Sequence, residues 1–286
     1  MEFLVILLAW ALVRTVGVPS GLQRDDWLLA WRLRANAAFA NLPAEARLLA
    51  VAALPCVLIG LLEWVLAARW ASLPLFALEL LVLIYSLGRG DFQVQLSRYT
   101  ACWQRGDLEA AYQEAIGVVG IDAGQPIGNA ADLHAQVRRR LLYLAFERWF
   151  AVVFWFYFLG PWAALFYRVL QLLNAHSAES DRLLLQRWRA WIEWLPARLL
   201  GLAFALTGNF ANCIGAWREH LSAWLPIPDL LASYAMHALD GATANAAEDG
   251  ADFAGRATHE LTELIALLSR SFIAWLLLFA LLQMLR

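Results

Sequence analysis

Nineteen consecutive residues between Arg148 and Arg168 carry no charge: Trp149 to Tyr167, WFAVVFWFYFLGPWAALFY. A helix rises about 1.5 Å per residue, so a run of this length reaches across the hydrocarbon core of a bilayer. The run is rich in aromatic residues, and Gly160-Pro161 sits in its middle. Proline lacks the backbone N–H and crowds the preceding turn, so a helix kinks or breaks there. Two arrangements follow. A kinked helix that crosses fully is the expectation carried forward; a re-entrant pair of half-helices is the alternative.

The rest of the chain fits a bilayer. Of its 286 residues 62% are hydrophobic and 16% charged, with a mean hydropathy of +0.56. A soluble domain carries roughly a quarter charged residues. The fifteen Trp suit membrane–water interfaces. These features predict an all-α, polytopic helical membrane protein with five to six membrane helices plus amphipathic and loop helices. All 22 basic residues are Arg. The absence of Lys excludes a Walker-A phosphate loop, a Schiff base and a Ser-x-x-Lys nucleophile within this chain. Cys56, Cys102 and Cys213 have no metal or redox spacing and read as reduced packing residues. His259-Glu260 with Glu263 lacks the second His of a zinc motif and reads as a polar helix face.

Along the chain, Phe3 to Val18 predicts a first membrane helix, with Arg14 snorkelling near its end. Gly21 to Leu42 has apolar residues near helical spacing among charges, and suits a helix lying in the interface. Leu48–Ala68 and Ser72–Gly88 form a hairpin of spans, with Glu63 near the interface and Glu79 at mid-membrane. A mid-membrane carboxylate is either a proton or ligand site or one half of a structural pair, for instance with Arg14. In the polar segment, Asp107 and Asn129 are predicted helix caps. Gly117, Gly120, Gly124, Pro126 and Gly128 punctuate a loop, and Arg138-Arg139-Arg140 reads as a positive-inside anchor. Trp191–Phe210 is a further span containing Arg198. A small-residue loop runs from Asp240 to Gly250 and the last span is Ser271–Leu285.

The organisation read from this is residues 1–88, N-terminal membrane helices; 89–148, polar; 149–211, central membrane helices; 212–270, polar; and 271–286, a last membrane helix. Arg in the flanking loops puts residues 89–148 inside. A full crossing at Trp149–Tyr167 then places Asn212–Ser269 in the cytoplasm; the re-entrant arrangement places it outside.

Three stretches point to a family. They are Arg105-Gly106-Asp107-Leu108-Glu109-Ala110-Ala111, the Phe158–Arg168 run FLGPWAALFYR, and Trp194-Leu195-Pro196-Ala197-Arg198-Leu199. In this order and spacing they resemble the superfamily that joins AmpE, an inner-membrane family associated with β-lactamase induction, to the CobD/CbiB cobalamin-pathway enzymes. The resemblance covers roughly Leu81 to Phe210. The enzyme branch carries Glu-Asn-x-x-Asp before the aromatic span and Asn-Thr-Leu-Asp after it, and uses ATP to join an amino alcohol to a corrinoid carboxylate. Here the first motif aligns with Glu147-Arg148-Trp149-Phe150-Ala151 and the second falls near Leu170 to Leu173, its Asn and Asp gone. Glu147 alone cannot hold a metal-bound nucleotide.

The resemblance therefore implies the AmpE branch: a non-enzymatic inner-membrane signalling or accessory protein linked to cell-wall recycling. A membrane ligase or transferase using ATP and Mg²⁺ is the second reading, and a carrier for a cell-wall fragment or lipid the third. No catalytic residue, metal ligand or cofactor is expected. The candidate ligand-binding or polar cluster is Glu147, Arg148, Arg168, Glu193, Arg198 and Glu79, with Arg198 held by Glu147. Expected partners are the lipid bilayer, a cell-wall amidase pathway or membrane protein, and a second copy of the chain, without nucleic acid.

Overall fold

A computed structural model describes residues 2–15, 25–69, 72–87, 92–119, 129–177, 179–239 and 251–285. Among them every regular element is helical. The chain divides into two compact units.

Unit 1 comprises Met1–Arg89, Glu147–Pro196 and Phe279–Arg286. It contains α1 (Glu2–Thr15), α2 (Asp26–Ala38), α3 (Ala44–Ala68) and α4 (Ser72–Ser86). Unit 2 comprises Gly90–Phe146 and Ala197–Leu278. It begins with α5 (Phe92–Gln104), α6 (Leu108–Glu114) and α7 (Ala130–Ala145). Unit 1 resumes with α8 (Ala151–Leu159), α9 (Pro161–His176) and the start of α10 (Glu179–Thr207). The remainder of α10 belongs to unit 2, with α11 (Phe210–Glu219), α12 (Ile227–Ala238) and most of α13 (Ala251–Met284).

Among the described residues, three helical stretches are long and apolar enough to cross a membrane: Ala44–Ala68, Ala130–Leu159 and Phe253–Met284. The apolar α4 is shorter. The middle stretch corrects the sequence expectation. Trp149–Tyr167 is not one helix: α8 ends at Leu159, Gly160 takes φ +88°, and α9 starts at Pro161 and packs against α8. Proline is well placed as the first helical residue, where its missing N–H costs nothing. The apolar helix instead extends backwards through Leu141–Phe146, so Glu147 and Arg148 lie inside it. A five-residue π-helical turn, Phe146–Phe150, carries both.

α9 is the centre of unit 1 and packs on α3, α4 and α8. Its Ala164, Val169 and Leu170 have no exposed surface, and burial runs all round the helix, as expected of an element enclosed by others. α2 lies on α3, with Leu28 and Ala35 buried in the same cluster. Pro55, inside α3, cannot donate to the carbonyl of Val51; the Trp31 indole N–H does so instead, at 3.0 Å.

In unit 2 close approach depends on two glycines of α10. A Cβ on Gly201 would stand 2.3 Å from the Tyr234 ring, and one on Gly208 2.6 Å from the Ala238 carbonyl oxygen. The caps fall as the sequence indicates: Asp107 Oδ1 accepts from the Ala110 N–H, and Asn129 Oδ1 from the Asp132 N–H. The three consecutive arginines diverge. Arg138 pairs with Glu260, Arg139 with Asp229 at 2.9 Å, and Arg140 stacks over Tyr143. Glu260 is thereby buried, not part of a solvated face, and also meets His134 Nε2 at 3.2 Å. Of the loop read from Gly117 to Gly128, Gly117 lies instead in a π-helical turn, Ala115–Val119, whereas Gly120 to Gly128, like the loop read at Asp240 to Gly250, lies outside the described residues.

Candidate functional site

Nine polar residues of unit 1 join into one continuous network. It begins where α2 starts: the Trp27 indole N–H donates to the Tyr85 hydroxyl at 2.8 Å, and that hydroxyl donates to Asp25 Oδ1 at 3.1 Å. The other Asp25 oxygen lies 3.7 Å from an Arg168 guanidinium nitrogen, a long ion pair. Arg168 donates to Gln171 Oε1 at 3.0 Å, one turn along α9. Gln171 in turn donates to the Glu147 backbone carbonyl at 2.9 Å. The π turn departs from the regular i to i−4 ladder at this point, a feature that recurs at functional sites.

The Glu147 carboxylate then accepts from Arg189 at 2.9 Å. Arg189 also reaches one turn down α10 to Glu193 Oε1, through Nε at 3.1 Å and through a terminal nitrogen at 2.9 Å. The Tyr167 hydroxyl donates to the same oxygen at 2.9 Å. Arg189 is 8% exposed and Glu193 2%, so these charges meet each other in place of water. A fork-shaped guanidinium suits this position because it can serve two carboxylates at once.

Of the expected cluster, Glu147, Arg168 and Glu193 are in this network. Arg148 sits on the same π turn. Arg198 is the correction: it lies in unit 2, and its guanidinium donates to the backbone carbonyls of Leu221 at 2.9 Å, Ala223 at 2.7 Å and His220 at 3.3 Å. Those carbonyls follow the end of α11, where helix acceptors are left over, so backbone acceptors occupy the guanidinium and the Glu147 carboxylate pairs with Arg189. Glu79 is buried in α4, six residues before Tyr85. Arg14, considered as its partner, packs over the Trp10 ring. Glu63 lies beside the helix break: a Cβ on Gly160 would be 3.4 Å from its Oε1.

Sequence reasoning missed Asp25, Tyr85, Tyr167, Gln171 and Arg189. The four-residue spacing of Arg189 and Glu193 is the one local signal that could have found the central pair. Among the described residues no group of three acidic, His or Cys side chains is arranged to hold a metal ion. Burial pushes the Cys213 thiol in unit 2 up to about 11, so it is protonated and unreactive at neutral pH.

The cobalamin biosynthesis protein CobD of Chromobacterium violaceum is 28% identical to the chain over 167 residues, which are 55% of this chain and 53% of that protein. The chain thus spans about half the length of that relative. No solved structure matches. The family described as "Regulatory signalling modulator protein AmpE" matches residues 3–229, which cover nearly all of unit 1 and much of unit 2, and this membrane protein therefore belongs to the AmpE family.

Proposed function

We propose that this chain is a multi-pass protein of the bacterial inner membrane that modulates signalling linked to cell-wall recycling and β-lactamase induction, and that it does so without catalysing a reaction. Family membership supports the regulatory part. The observation that carries the non-catalytic part is the bond from Arg189 to Glu147. In the resembling enzymes the corresponding acidic residue belongs to a motif with Asn and Asp; here those positions are Arg148 and Ala151, and the remaining carboxylate is engaged by an internal cation. Glu193, the next nearest acid in the network, is occupied by Arg189 and Tyr167. Such a network fixes helices in register and suits transmission of a conformational signal better than group transfer.

The test is induction of β-lactamase by a cell-wall-active antibiotic in cells that carry the chain, lack it, or carry Glu147→Gln or Arg189→Met at equal abundance. The expected outcome is altered induction on deletion and in Arg189→Met. Unchanged induction in all strains refutes the reading. Similarity to CobD supports a second reading, a nucleotide-dependent ligase or transferase. Saturable micromolar binding of Mg²⁺–ATP by calorimetry, lost in Glu147→Gln, would favour it.

A further inference from the structure

Glu79 is 6% exposed in the middle of the apolar helix α4, and its Oε2 has no hydrogen-bond partner among the described residues. Buried carboxylate oxygens normally find donors, and a bare carboxylate at membrane depth is costly. The helices packed on α4 are α1, α3, α8 and α9. From them, the side chains that act on Glu79 are Glu2 of α1 and Glu63 of α3. Both are further carboxylates. Glu63 also faces the break between α8 and α9, where Gly160 leaves room: a Cβ there would lie 3.4 Å and 3.7 Å from its two oxygens. Ionisable groups beside a broken helix at membrane depth are the usual construction of proton and ion sites.

We propose that Glu79 is a proton-binding site within the membrane part of unit 1, with Glu63 as the carboxylate coupled to it at the helix break. The ligand is the proton itself: the carboxylate takes H⁺ from water to become a neutral carboxylic acid, and returns it. No three acidic, His or Cys groups among the described residues are arranged for a metal ion, which favours the proton over a metal cation. Protonation removes one negative charge from a group of like charges and supplies an O–H donor to a carboxyl whose Oε2 meets none among the described residues. This inference stands apart from the regulatory reading, since proton binding can be measured whether or not β-lactamase induction responds.

The test uses the full chain in nanodiscs and the apolar reagent dicyclohexylcarbodiimide. The O–H of a protonated carboxyl adds across a C=N bond of the reagent, and acyl migration to nitrogen leaves a stable N-acylurea. Ionised and water-exposed carboxylates do not accumulate this product. Peptide mapping by mass spectrometry is expected to place one adduct on Glu79. Its rate should rise at least about tenfold from about pH 9 to about pH 6. Glu79→Gln should abolish the adduct, and Glu63→Gln should move the pH midpoint. Should Glu79→Gln fail to fold, the map of the unaltered chain still locates the adduct. The infrared carbonyl band of a protonated carboxyl then supplies the second readout. No adduct at any pH, an adduct on Glu63 alone, or labelling independent of pH overturns the proposal.

Discussion

Replacing Arg189 by Met tests the central network most directly. Met fills a similar volume but cannot donate, so the change removes at least three hydrogen bonds, two to Glu193 and one to Glu147. Hydrogen bonds between membrane helices average about 0.6 kcal/mol, so bond loss alone would cost about 2 kcal/mol. The structure predicts more, because Glu193 at 2% exposure and the Glu147 side chain at 14% are left as anions without their shared cation. Stranding one half of a buried pair costs about 3–5 kcal/mol. For a chain of this size that is a fall in Tm of roughly 6–10 °C, at about 2 °C per kcal/mol. Tyr167 still donates to Glu193, so Glu193→Gln alone should cost less, about 1–2 kcal/mol. The double variant Arg189→Met/Glu193→Gln should be more stable than the sum of the two losses implies, by at least about 1 kcal/mol. Thermal unfolding in nanodiscs followed by tryptophan fluorescence measures all three. A loss of about 2 kcal/mol or less for Arg189→Met, additive with Glu193→Gln, refutes the idea that Arg189 neutralises two carboxylates.

Gly160→Ala should destabilise the chain by about 1–3 kcal/mol, because φ +88° with ψ −173° is a conformation for glycine alone; Gly215→Ala, with nothing within 4 Å of the new methyl and a helical backbone, should be neutral or slightly stabilising in the same melts. Arg198→Met should lower Tm by several degrees and raise hydrogen exchange at the amides just after α11, whose carbonyls it no longer holds; unchanged exchange there counts against the assigned role. Cys56, Cys102 and Cys213 are each 4% exposed or less, so a maleimide at neutral pH should modify none of them until the protein is unfolded in dodecyl sulfate; modification of the folded chain refutes that burial.

Hydropathy located α3, α4 and the apolar part of α13, because uncharged length is a direct readout of what a bilayer accepts. The same rule misplaced the central helix. Glu147 and Arg148 looked like the end of a span, whereas the helix passes through them. Glu147 is matched by Arg189, forty-two residues on, and no local spacing reveals that partner. Gly160-Pro161 was visible as a disturbance, but whether it kinks or ends a helix depends on the φ that Gly160 adopts and on the packing of α9 against α8. Arg198 was read as held by the Glu147 carboxylate, and it is not. The acceptors are carbonyls after α11 because helix ends expose them, a solution that side-chain chemistry alone does not suggest.

The indole of Trp31 bonded to Val51, where Pro55 leaves a carbonyl vacant, ties the short α2 to one fixed level of a helix that is apolar enough to traverse the bilayer. A short helix packed on a longer one can ordinarily slide or roll against it. Here rolling α2 or sliding it along α3 would break the indole bond. α3 packs in turn on α9, the helix that supplies Tyr167, Arg168 and Gln171 to the polar network, so one indole bond sets the register of α2 against a helix that bears directly on that network.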